Sequence, residues 1–382
     1  MPQESRLYDA RPAGWPLGSR TRAATRLALI ASSLLSACAV RRSPAGVHPA
    51  PCLALDGSAT SADWVLRDIP DERSALDAWC WAVGPAVVTQ TTAAADASMD
   101  SLAVVVWNAQ VGNGDLRALI ADLRSGGVTG APVRDFVVLL QEVHRRGEGV
   151  PKEVPGWAAS AGRTGSAKPD RADVVEVAEQ HGLSLVYAPS MRNGFADDGG
   201  PPEDRGNAIL SSLPLTRPAF VELPYERQRR VAVLASVEGR TPRGESWTLR
   251  FASVHLDNRA RLGKIYRSFG AARARQAKTL IESMADAAHA VVGGDLNTWN
   301  TVREPGAVRA LRTEFPLPAD LPDEGTMELP WVLPALRLDH LFFRLPGGWD
   351  AGYRVLEHAY RSDHQPLVGW IRMGDSVLTA GS

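Results

Sequence analysis

The sequence predicts an α/β fold, in which short buried strands alternate with amphipathic helices. Six runs rich in valine, leucine and phenylalanine end near polar residues, as buried strands do: 102–109, 135–143, 183–189, 230–238, 249–257 and 289–297. Four other segments carry apolar residues at helical spacing: 116–123, 172–180, 272–288 and 307–315. Glycine-rich stretches at 193–206 and 239–244 are expected to be loops. With 382 residues, of which 45% are hydrophobic, the chain can bury a substantial core.

The first 37 residues have the layout of a secretory signal peptide. An arginine-bearing segment, residues 1–26, precedes the apolar stretch LALIASSLLSA, which ends at Cys38. This stretch is too short to cross a bilayer comfortably, which argues against a permanent transmembrane helix. We therefore expect residues 1–37 to direct export.

The residues around Cys38 suggest how the signal peptide is removed. Leu35-Ser36-Ala37-Cys38 resembles the lipobox of bacterial lipoproteins, which implies cleavage before Cys38 and lipid attachment to its sulfur. The alternative is cleavage after Ala39, because Ala37-Cys38-Ala39 also has small residues at the required positions. The first case predicts a membrane-anchored lipoprotein of the bacterial cell envelope, and the second predicts a soluble periplasmic or secreted protein.

Composition divides the rest of the chain into a tether, a lead-in, a main domain and a tail. Residues 38–51 are small, basic and proline-bearing, as tethers are. Residues 52–100 form a mixed lead-in, which we expect to pack on the main domain through Trp64, Trp79 and Trp81. The main domain is expected over residues 101–375 and the tail over 376–382.

The three cysteines of the sequence support export. If lipid takes Cys38, then Cys52 and Cys80 remain as an even pair, which predicts a disulfide in an oxidising compartment. The alternative is that both are reduced and act as small buried hydrophobes.

The charge of the chain leaves its partner open. A formal net charge of -1 argues against a general nucleic-acid coat protein. Seven lysines or arginines and no acid lie between Arg259 and Lys278, and Arg227, Arg229 and Arg230 precede them. This cluster is either a solvated helix face or a surface that guides a polyanionic substrate.

Polar and titratable residues follow the predicted strands repeatedly. They are Asn108, Gln141-Glu142, His255 and Asp257, Asp295 and Asn297, Asp339-His340, and Asp363-His364. Because ligand sites in α/β sheets lie at strand ends, we expect these side chains to share one site. Carboxylates and amides with few histidines form a hard-oxygen set that suits Mg²⁺ or Mn²⁺, and a divalent ion beside a histidine suits phosphate-ester hydrolysis.

Several segments, taken in order, resemble the signature segments of the endonuclease/exonuclease/phosphatase superfamily, which includes deoxyribonuclease I. They are WNAQ (107–110), QEV (141–143), RGNAILSSLP (205–214), SVHLDN (253–258), GGDLNT (293–298), LRLDHLFF (336–343) and SDHQPL (362–367). The resemblance runs from about Leu102 to about Met373. It implies a four-layer sandwich of two packed, mostly antiparallel sheets flanked by helices.

The resemblance also implies roles at the metal and substrate positions. Glu142 is similar to the principal metal carboxylate, with Asn108 beside it, and Asp363 assists the metal region. Arg205 and Asn207 are expected to bind substrate.

The catalytic positions follow from the same resemblance. Asp295 matches the aspartate that orients or deprotonates water, and Asn297 matches an asparagine that hydrogen-bonds the phosphate. His255 resembles a histidine that contacts the scissile phosphate, and Asp339 resembles the carboxylate that orients His364. Whether the general base is the aspartate or the histidine stays open.

These observations predict a Mg²⁺-dependent or Mn²⁺-dependent phosphoesterase that uses activated water. The substrate is expected to be a phosphate mono- or diester of a nucleic acid, a phospholipid headgroup or a small molecule. We expect a monomer without an obligate protein partner, tied to the membrane by its N-terminal lipid. One alternative is a nuclease specific for DNA or RNA, and another is an inactive binding module on the same fold.

Overall fold

The structure, a computed structural model, describes most of the chain from residue 98 onwards and parts of the region before it. The described residues are 41–43, 52, 55–56, 62–66, 76–91, 98–154, 156, 167–193, 201–258, 269–298, 306–322, 324–327 and 335–374. The predicted signal peptide, Cys38 and the predicted tail lie outside them. All described residues belong to one unit, Cys38–Ser382. Among them, no helix is both long enough and apolar enough to cross a membrane.

The described strands and helices are numbered here in chain order. The strands are β1 (Arg41–Ser43), β2 (Leu55–Asp56), β3 (Asp63–Leu66), β4 (Ala86–Thr89), β5 (Ser101–Asn108), β6 (Phe136–Arg146), β7 (Ser184–Asn193), β8 (Glu203–Ser211), β9 (Thr216–Glu222), β10 (Val231–Arg240), β11 (Ser246–His255), β12 (Ala290–Asp295), β13 (Asp339–Arg344), β14 (Asp350–Val355) and β15 (Leu367–Arg372). The helices are α1 (Leu116–Ser125), α2 (Val174–His181), α3 (Phe269–Ser283) and α4 (Gly306–Glu314).

The strands form two sheets. Sheet I has the order β1-β3-β9-β10-β11-β12-β13, and sheet II has the order β14-β15-β5-β6-β8-β7-β4-β2. Most neighbouring strands are antiparallel, whereas β3 and β9, β11 and β12, β5 and β6, and β2 and β4 are parallel. The two sheets face each other, and the predicted four-layer sandwich is confirmed.

Strand β5 shows why the apolar runs fold as they do. Its alternate residues Leu102, Val104 and Val106 lie in the core between the sheets, whereas Val105 and Trp107 face the helices α1 and α2. A strand that is buried on both faces has no polar alternation, so it reads as a continuous apolar run. Helices α3 and α4 cover the outer face of sheet I in the same way.

Helices α1 and α2 begin and end at residues with clear capping roles. Asp115 Oδ1 accepts from the Ala118 N–H at 3.2 Å, and Asp173 Oδ1 accepts from the Glu176 N–H at 2.8 Å. Each helix ends at a glycine with positive φ, at Gly126 and Gly182. The four predicted helices are confirmed with shifted ends.

The six predicted strands are present, and the fold contains others that the sequence did not indicate. Residues 203–206 lie in β8 rather than in the predicted glycine-rich loop. Residues 41–43 of the predicted tether pair with β3 as an edge strand. Strands β2 and β4 extend sheet II, and β3 extends sheet I, so the lead-in belongs to both sheets.

The lead-in packs on the body as its tryptophans suggested, with one exception. Trp64 is buried against Phe220, with 4.7 Å between ring centroids, and Trp79 is also buried. Trp81 is 39% exposed. Cys52 and Cys80 form a disulfide with 5.1 Å between their Cα atoms.

A buried charge network joins the lead-in to sheet II. Asp204 is fully buried and accepts from Arg145 Nη2 at 2.6 Å, from the Tyr187 hydroxyl at 2.8 Å and from the Gly84 N–H at 2.9 Å. Arg145 Nη1 also donates to the Pro85 carbonyl at 2.9 Å. Every oxygen of this buried carboxylate therefore has a donor.

We expect Asp204→Asn to lower the free energy of unfolding by about 3–5 kcal/mol, because it leaves the buried Arg145 without its counter-charge. Urea denaturation measures this change. Asp286→Asn is the control, since its ion pair with Arg217 is about half exposed on both sides and should change stability by less than about 1 kcal/mol. Equal losses in the two variants would show that the Asp204 network is not a main tie of the fold.

Candidate active site

The pairing of neighbouring strands brings the polar strand ends together. In sheet I, the parallel strands β11 and β12 pair His255 with Asp295, and the antiparallel strands β12 and β13 pair Asp295 with Asp339. In sheet II, the parallel strands β5 and β6 pair Asn108 with Gln141. Asn108 Nδ2 donates to Asp295 Oδ2 at 2.9 Å. The two rows of side chains therefore meet between the ends of the sheets.

Asp339 and His364 form a buried ion pair, with 2.7 Å between Oδ2 and Nδ1. Thr326 holds Asp339, because its Oγ1 accepts from the Asp339 N–H at 3.1 Å. Trp107 Nε1 donates to the His364 carbonyl at 3.0 Å, and Ser362 Oγ accepts from the His364 N–H at 3.1 Å. Hydrogen bonds therefore hold Asp339 and His364 in place through their backbones as well as through their side chains.

Burial and neighbouring charges shift the pKa values of His364 and Asp295. Burial lowers the pKa of His364, but the Asp339 charge and hydrogen bond outweigh it and raise the pKa to about 10. Burial raises the pKa of Asp295, and the Asp339 charge raises it further, against the charge of His364. His364 is therefore a cation at neutral pH, while Asp295 takes up protons more readily than an ordinary aspartate.

His255 is the second histidine of the site and is held neutral. Burial lowers the pKa of His255 well below its usual range, and the charge of Arg230 lowers it further. Its Nε2 lies 3.3 Å from Asp295 Oδ2, and its Nδ1 lies 3.9 Å from Glu142 Oε1.

Glu142 reaches the site because strand β6 has an irregularity there. The pairing with β8 shifts between Leu140 and Val143, and Glu142 itself has a φ of +54°. Its Oε2 accepts from the Val111 N–H at 2.9 Å and lies 4.0 Å from Arg205 Nη1. Its side chain is 20% exposed, so the carboxylate is accessible at the surface of the site.

The two other asparagines of the predicted site are fixed by backbone contacts. The Asn297 N–H donates to Asp295 Oδ1 at 2.8 Å, and Asn297 Nδ2 donates to the Leu256 carbonyl at 2.9 Å. Asn207 Nδ2 donates to the Val231 carbonyl at 2.8 Å, which ties sheet II to sheet I. Each amide nitrogen retains one further hydrogen for a ligand.

Asp363 lies at the outer side of the site. Its side chain is 38% exposed, and its Oδ1 lies 4.0 Å from His364 Nε2. Burial raises the pKa of Asp363, and the Glu142 charge raises it further, whereas the charge of His364 lowers it. The carboxylates of Asp363 and Glu142 therefore repel each other.

The donor set fits a hard divalent cation. Glu142 and Asp363 offer carboxylate oxygens. Asn108 pairs with Gln141, the residue before Glu142, and its backbone carbonyl accepts from the hydroxyl of Ser362, the residue before Asp363. A cation between the two carboxylates would relieve their repulsion. Ligand atoms of Asp295, Asp339 and His364 also lie within 4.8 Å of one another. In that group His364 is bound to Asp339 and protonated, which disfavours it as a metal ligand.

Backbone strain is concentrated around these residues. Seven non-glycine residues of the described chain have positive φ, and six of them lie in the site or in the segments that lead into it: Gln110, Val111, Glu142, Asn297, Tyr360 and Arg361. Such conformations cost about 1–3 kcal/mol each and are typical of functional sites.

Comparison with protein families decides the identity of the fold. The family model described as the Endonuclease/Exonuclease/phosphatase family matches residues 105–364, which include every catalytic, metal-binding and substrate-binding residue predicted from the sequence. The chain belongs to this family. Its members are hydrolases that act on phosphate esters. A comparison with curated proteins finds no match.

Solved structures of similar fold come from several organisms. An endonuclease/exonuclease/phosphatase from Beutenbergia cavernae is 20% identical, with a TM-score of 0.48, and the match covers 72% of each chain. The 3′ phosphatase NExo from Neisseria, bound to a product DNA hairpin, is 14% identical, with a TM-score of 0.41 and coverage of 70% of this chain and 98% of that one. TDP2 from D. rerio, complexed with a single-strand DNA product, is 14% identical, with a TM-score of 0.40 and coverage of 72% and 100%.

The endonuclease/exonuclease/phosphatase signature contains Gln141, Ser253 and Ser362 but gave them no role, and Thr326 lies outside its segments. Thr326 and Ser362 bind the backbones of Asp339 and His364, and Gln141 Nε2 donates to Ser253 Oγ across the sheets at 2.9 Å. Their supporting role follows from contacts between residues far apart in the chain, which the sequence does not indicate. His340 has a structural place, as alternation predicted, because its Nε2 lies 2.9 Å from Thr298 Oγ1.

The lysines and arginines of the cationic cluster have different surroundings in the structure. Residues 259–268 lie outside the described residues. Arg275 pairs with Glu226, and Lys278 lies 3.7 Å from Glu282 on an exposed face of α3. Arg229 is buried and paired with Glu222.

We expect the His364 imidazole to stay doubly protonated at about pH 8 in the metal-free protein, because its pKa is about 10. Nitrogen chemical shifts in an NMR titration measure this state. The pKa of His364 is raised from an ordinary value of 6.5, so the pair stabilises the fold fully below that value, and the contribution is lost as pH rises through about 10.

Asp339→Asn is the matched variant for this titration. It should return the His364 pKa towards or below its ordinary value and remove the loss of stability at alkaline pH. A neutral His364 imidazole at about pH 7 in the wild-type protein would contradict the ion pair.

Proposed function

We propose that the protein is a divalent-metal-dependent hydrolase of phosphate esters, in which water attacks phosphorus in line with the leaving group. The observation that carries this proposal is the buried Asp339–His364 pair beside Asp295, with neutral His255 and accessible Glu142 around the same point. Phosphoryl transfer needs positioning and stabilisation of charge more than covalent chemistry, and this arrangement offers both.

The metal ion would be held by Glu142, Asn108 and Asp363. When bound, Mg²⁺ or Mn²⁺ would neutralise negative charge that develops on the phosphoryl oxygens. The repulsion between Glu142 and Asp363 supports this choice of ligands.

The two titrating groups suggest how protons move. Asp295 has a raised pKa and lies in the row between His255 and Asp339, so it suits the task of accepting the proton of the attacking water. His364 is already protonated, which suits a donor to a phosphoryl or leaving-group oxygen. Asp339 occupies the Nδ1 side of that ring, so Nε2 would be the atom that donates to the substrate.

Neutral and cationic donors would complete the phosphate site. Asn297 has one amide hydrogen left, and His255 is neutral and can donate without adding charge. Arg205 is buried beside Glu142 and would bind a phosphate oxygen through its guanidinium.

The test is hydrolysis by the soluble chain from residue 39 to 382, with Mg²⁺ or Mn²⁺ and with EDTA. Plasmid DNA, bis-p-nitrophenyl phosphate, p-nitrophenyl phosphate and phospholipid are offered in parallel. We expect metal-dependent cleavage, lost in EDTA, and a fall in turnover on the order of 10²-fold or more in His364→Ala.

Two further variants complete this experiment. His289→Ala changes a histidine at the opposite end of β12 and should keep normal turnover, whereas Glu142→Gln should require more metal for the same rate. Near-normal turnover of His364→Ala would contradict the proposed site. Wild-type protein that binds no Mg²⁺ and cleaves none of the substrates would favour the binding-module alternative.

We also propose that the chain is exported and anchored through lipid on Cys38. The lipobox-like sequence supports the anchor, and the Cys52–Cys80 disulfide suits an oxidising compartment. In a bacterial host, Cys38→Ala should move the protein from the membrane fraction to the soluble fraction, while Ser32→Ala should leave it with the membranes. A wild-type protein found entirely in the soluble fraction would exclude the anchor.

A further inference from the structure

The guanidinium of Arg205, which we expect to bind substrate, is held in place partly by a sulfur atom. Its Nη2 donates to Met191 Sδ at 2.8 Å, and its Nη1 lies 4.0 Å from Glu142 Oε2. A thioether sulfur is a weak acceptor without charge, so this contact orients the guanidinium and leaves its positive charge available to an anion. Met191 is 1% exposed, so the position of its sulfur depends on the residues packed around it.

The residues packed around Met191 come from the lead-in. Trp79, Ala82 and Met191 form one buried apolar cluster, and Tyr225 packs against it. Trp79 Nε1 donates to the Tyr225 hydroxyl at 3.2 Å, and this hydroxyl donates to the Arg227 carbonyl at 3.1 Å. Methionine is unbranched and flexible, so a large, fixed neighbour is needed to hold its sulfur in one place. Trp79 is the largest side chain of this cluster.

The lead-in reaches the cluster through residues 77–85, which we call the lead-in turn. Cys80, next to the tryptophan of the cluster, forms the disulfide with Cys52. At the other end of the turn, the Gly84 N–H donates to Asp204 Oδ2 at 2.9 Å, and Asp204 directly precedes the substrate-binding arginine in β8. The disulfide therefore restrains the half of the turn that carries the tryptophan, and the buried carboxylate restrains the other half.

The lead-in turn joins the site from outside the family match. The match spans residues 105–364, so the lead-in turn and both cysteines of the disulfide precede it. Met191 and Arg205 lie within it. The packing of the cluster thus connects a segment outside the matched region to a residue that we expect to contact the phosphate.

Reduction of the disulfide would remove one of the two restraints on the lead-in turn. A dithiol such as dithiothreitol transfers two electrons to the S–S bond, which leaves two protein thiols and the cyclic disulfide of the reagent. The hydrogen bond from Gly84 to Asp204 does not depend on this exchange. The half of the turn that carries Trp79 would then gain freedom. A guanidinium that is held less firmly must be ordered when its ligand binds, which weakens binding.

We propose that the lead-in turn positions Arg205 for a phosphate oxygen through Trp79 and Met191, and that this positioning requires the Cys52–Cys80 disulfide. This proposal rests on the proposed function. Trp79 and Met191 are positioning residues, because they act through the arginine. The chain binds its phosphate ester weakly while the two cysteines are reduced and more tightly once they are oxidised. Full activity is thereby confined to an oxidising compartment.

The first test compares the oxidised protein with the same protein reduced by dithiothreitol, using bis-p-nitrophenyl phosphate and Mg²⁺. Reduction should raise KM about three- to tenfold and leave kcat within about twofold, because Arg205 keeps its charge but must be ordered on binding. The double variant Cys52→Ser/Cys80→Ser should show the raised KM with or without the reagent, which controls for effects of the reagent on the metal. An unchanged KM, once thiol titration has shown both cysteines to be reduced, would overturn the proposal. Unfolding of the reduced protein at the assay temperature would also overturn it, because the disulfide would then serve the fold.

Variants that keep the disulfide separate positioning from support of the fold. Met191→Leu keeps the apolar volume but removes the sulfur acceptor, and Trp79→Leu removes the aromatic ring from the cluster. Each should raise KM as reduction does and leave kcat near the wild-type value, whereas Trp79→Phe should keep KM near the wild-type value. Trp64→Leu is the matched control, since this buried tryptophan of the lead-in packs against Phe220; it should lower the Tm and leave KM unchanged. Equal rises of KM in the Trp64 and Trp79 leucine variants would assign the lead-in to general support and overturn the proposal.

Binding without turnover distinguishes this proposal from the proposed function. Inorganic phosphate is titrated in metal-free buffer with EDTA and followed by isothermal titration calorimetry. Reduction and Met191→Leu should each weaken its binding about three- to tenfold. This loss in a protein that hydrolyses no ester would support the positioning while the proposed function fails. Phosphate binding that is undetectable, or equal in all variants, would overturn the positioning, and metal-dependent hydrolysis in the same protein would leave the proposed function standing.

Discussion

The ion pair between Asp339 and His364 is the contact on which the site depends, because it joins the two sheets where their polar strand ends meet. Asp339 begins β13 in sheet I, and His364 lies just before β15 in sheet II. The pair is buried, and the backbone of each partner is bound independently by Thr326, Ser362 or Trp107. A separation of the sheets by even a small distance would leave a buried charge unpaired, so this contact couples the packing of the sandwich to the geometry of the site.

The pKa values of the buried groups in the site shift in different directions, according to the charges beside each group. The Asp339 charge raises the pKa of His364 and makes it a cation, whereas burial, and after it the charge of Arg230, lowers the pKa of His255 and holds it neutral. Asp295 is buried beside a second aspartate, which raises its pKa. Two histidines of the same type and two aspartates of the same type thus acquire different proton affinities from their surroundings alone. This separation is what a site needs if one group is to accept a proton while another donates one.

Local strain shows where the fold departs from what is best for stability. Glu142 and Asn297 have left-handed backbones, and Tyr360 and Arg361 have them in the turn that leads to His364. An ordinary residue avoids this region because its Cβ crowds the backbone. The surrounding strands hold these residues there and thereby aim their side chains into the site.

The sequence by itself determined the layers and the chemical types of the site. Apolar runs such as 102–109 predicted strands buried on both faces, and the polar residues beside such runs predicted a site at the ends of the strands. Tertiary structure decided the rest, because long-range pairing has no local signal. The sequence predicts a loop over the first residues of β8, because a glycine and polar residues are typical of loops. These residues form a strand because they pair with β6 and β7. In the same way, the sequence contains Arg229 and Arg230 side by side, but only the packed sheets pair the first with the carboxylate of Glu222, while the second donates to Gln228.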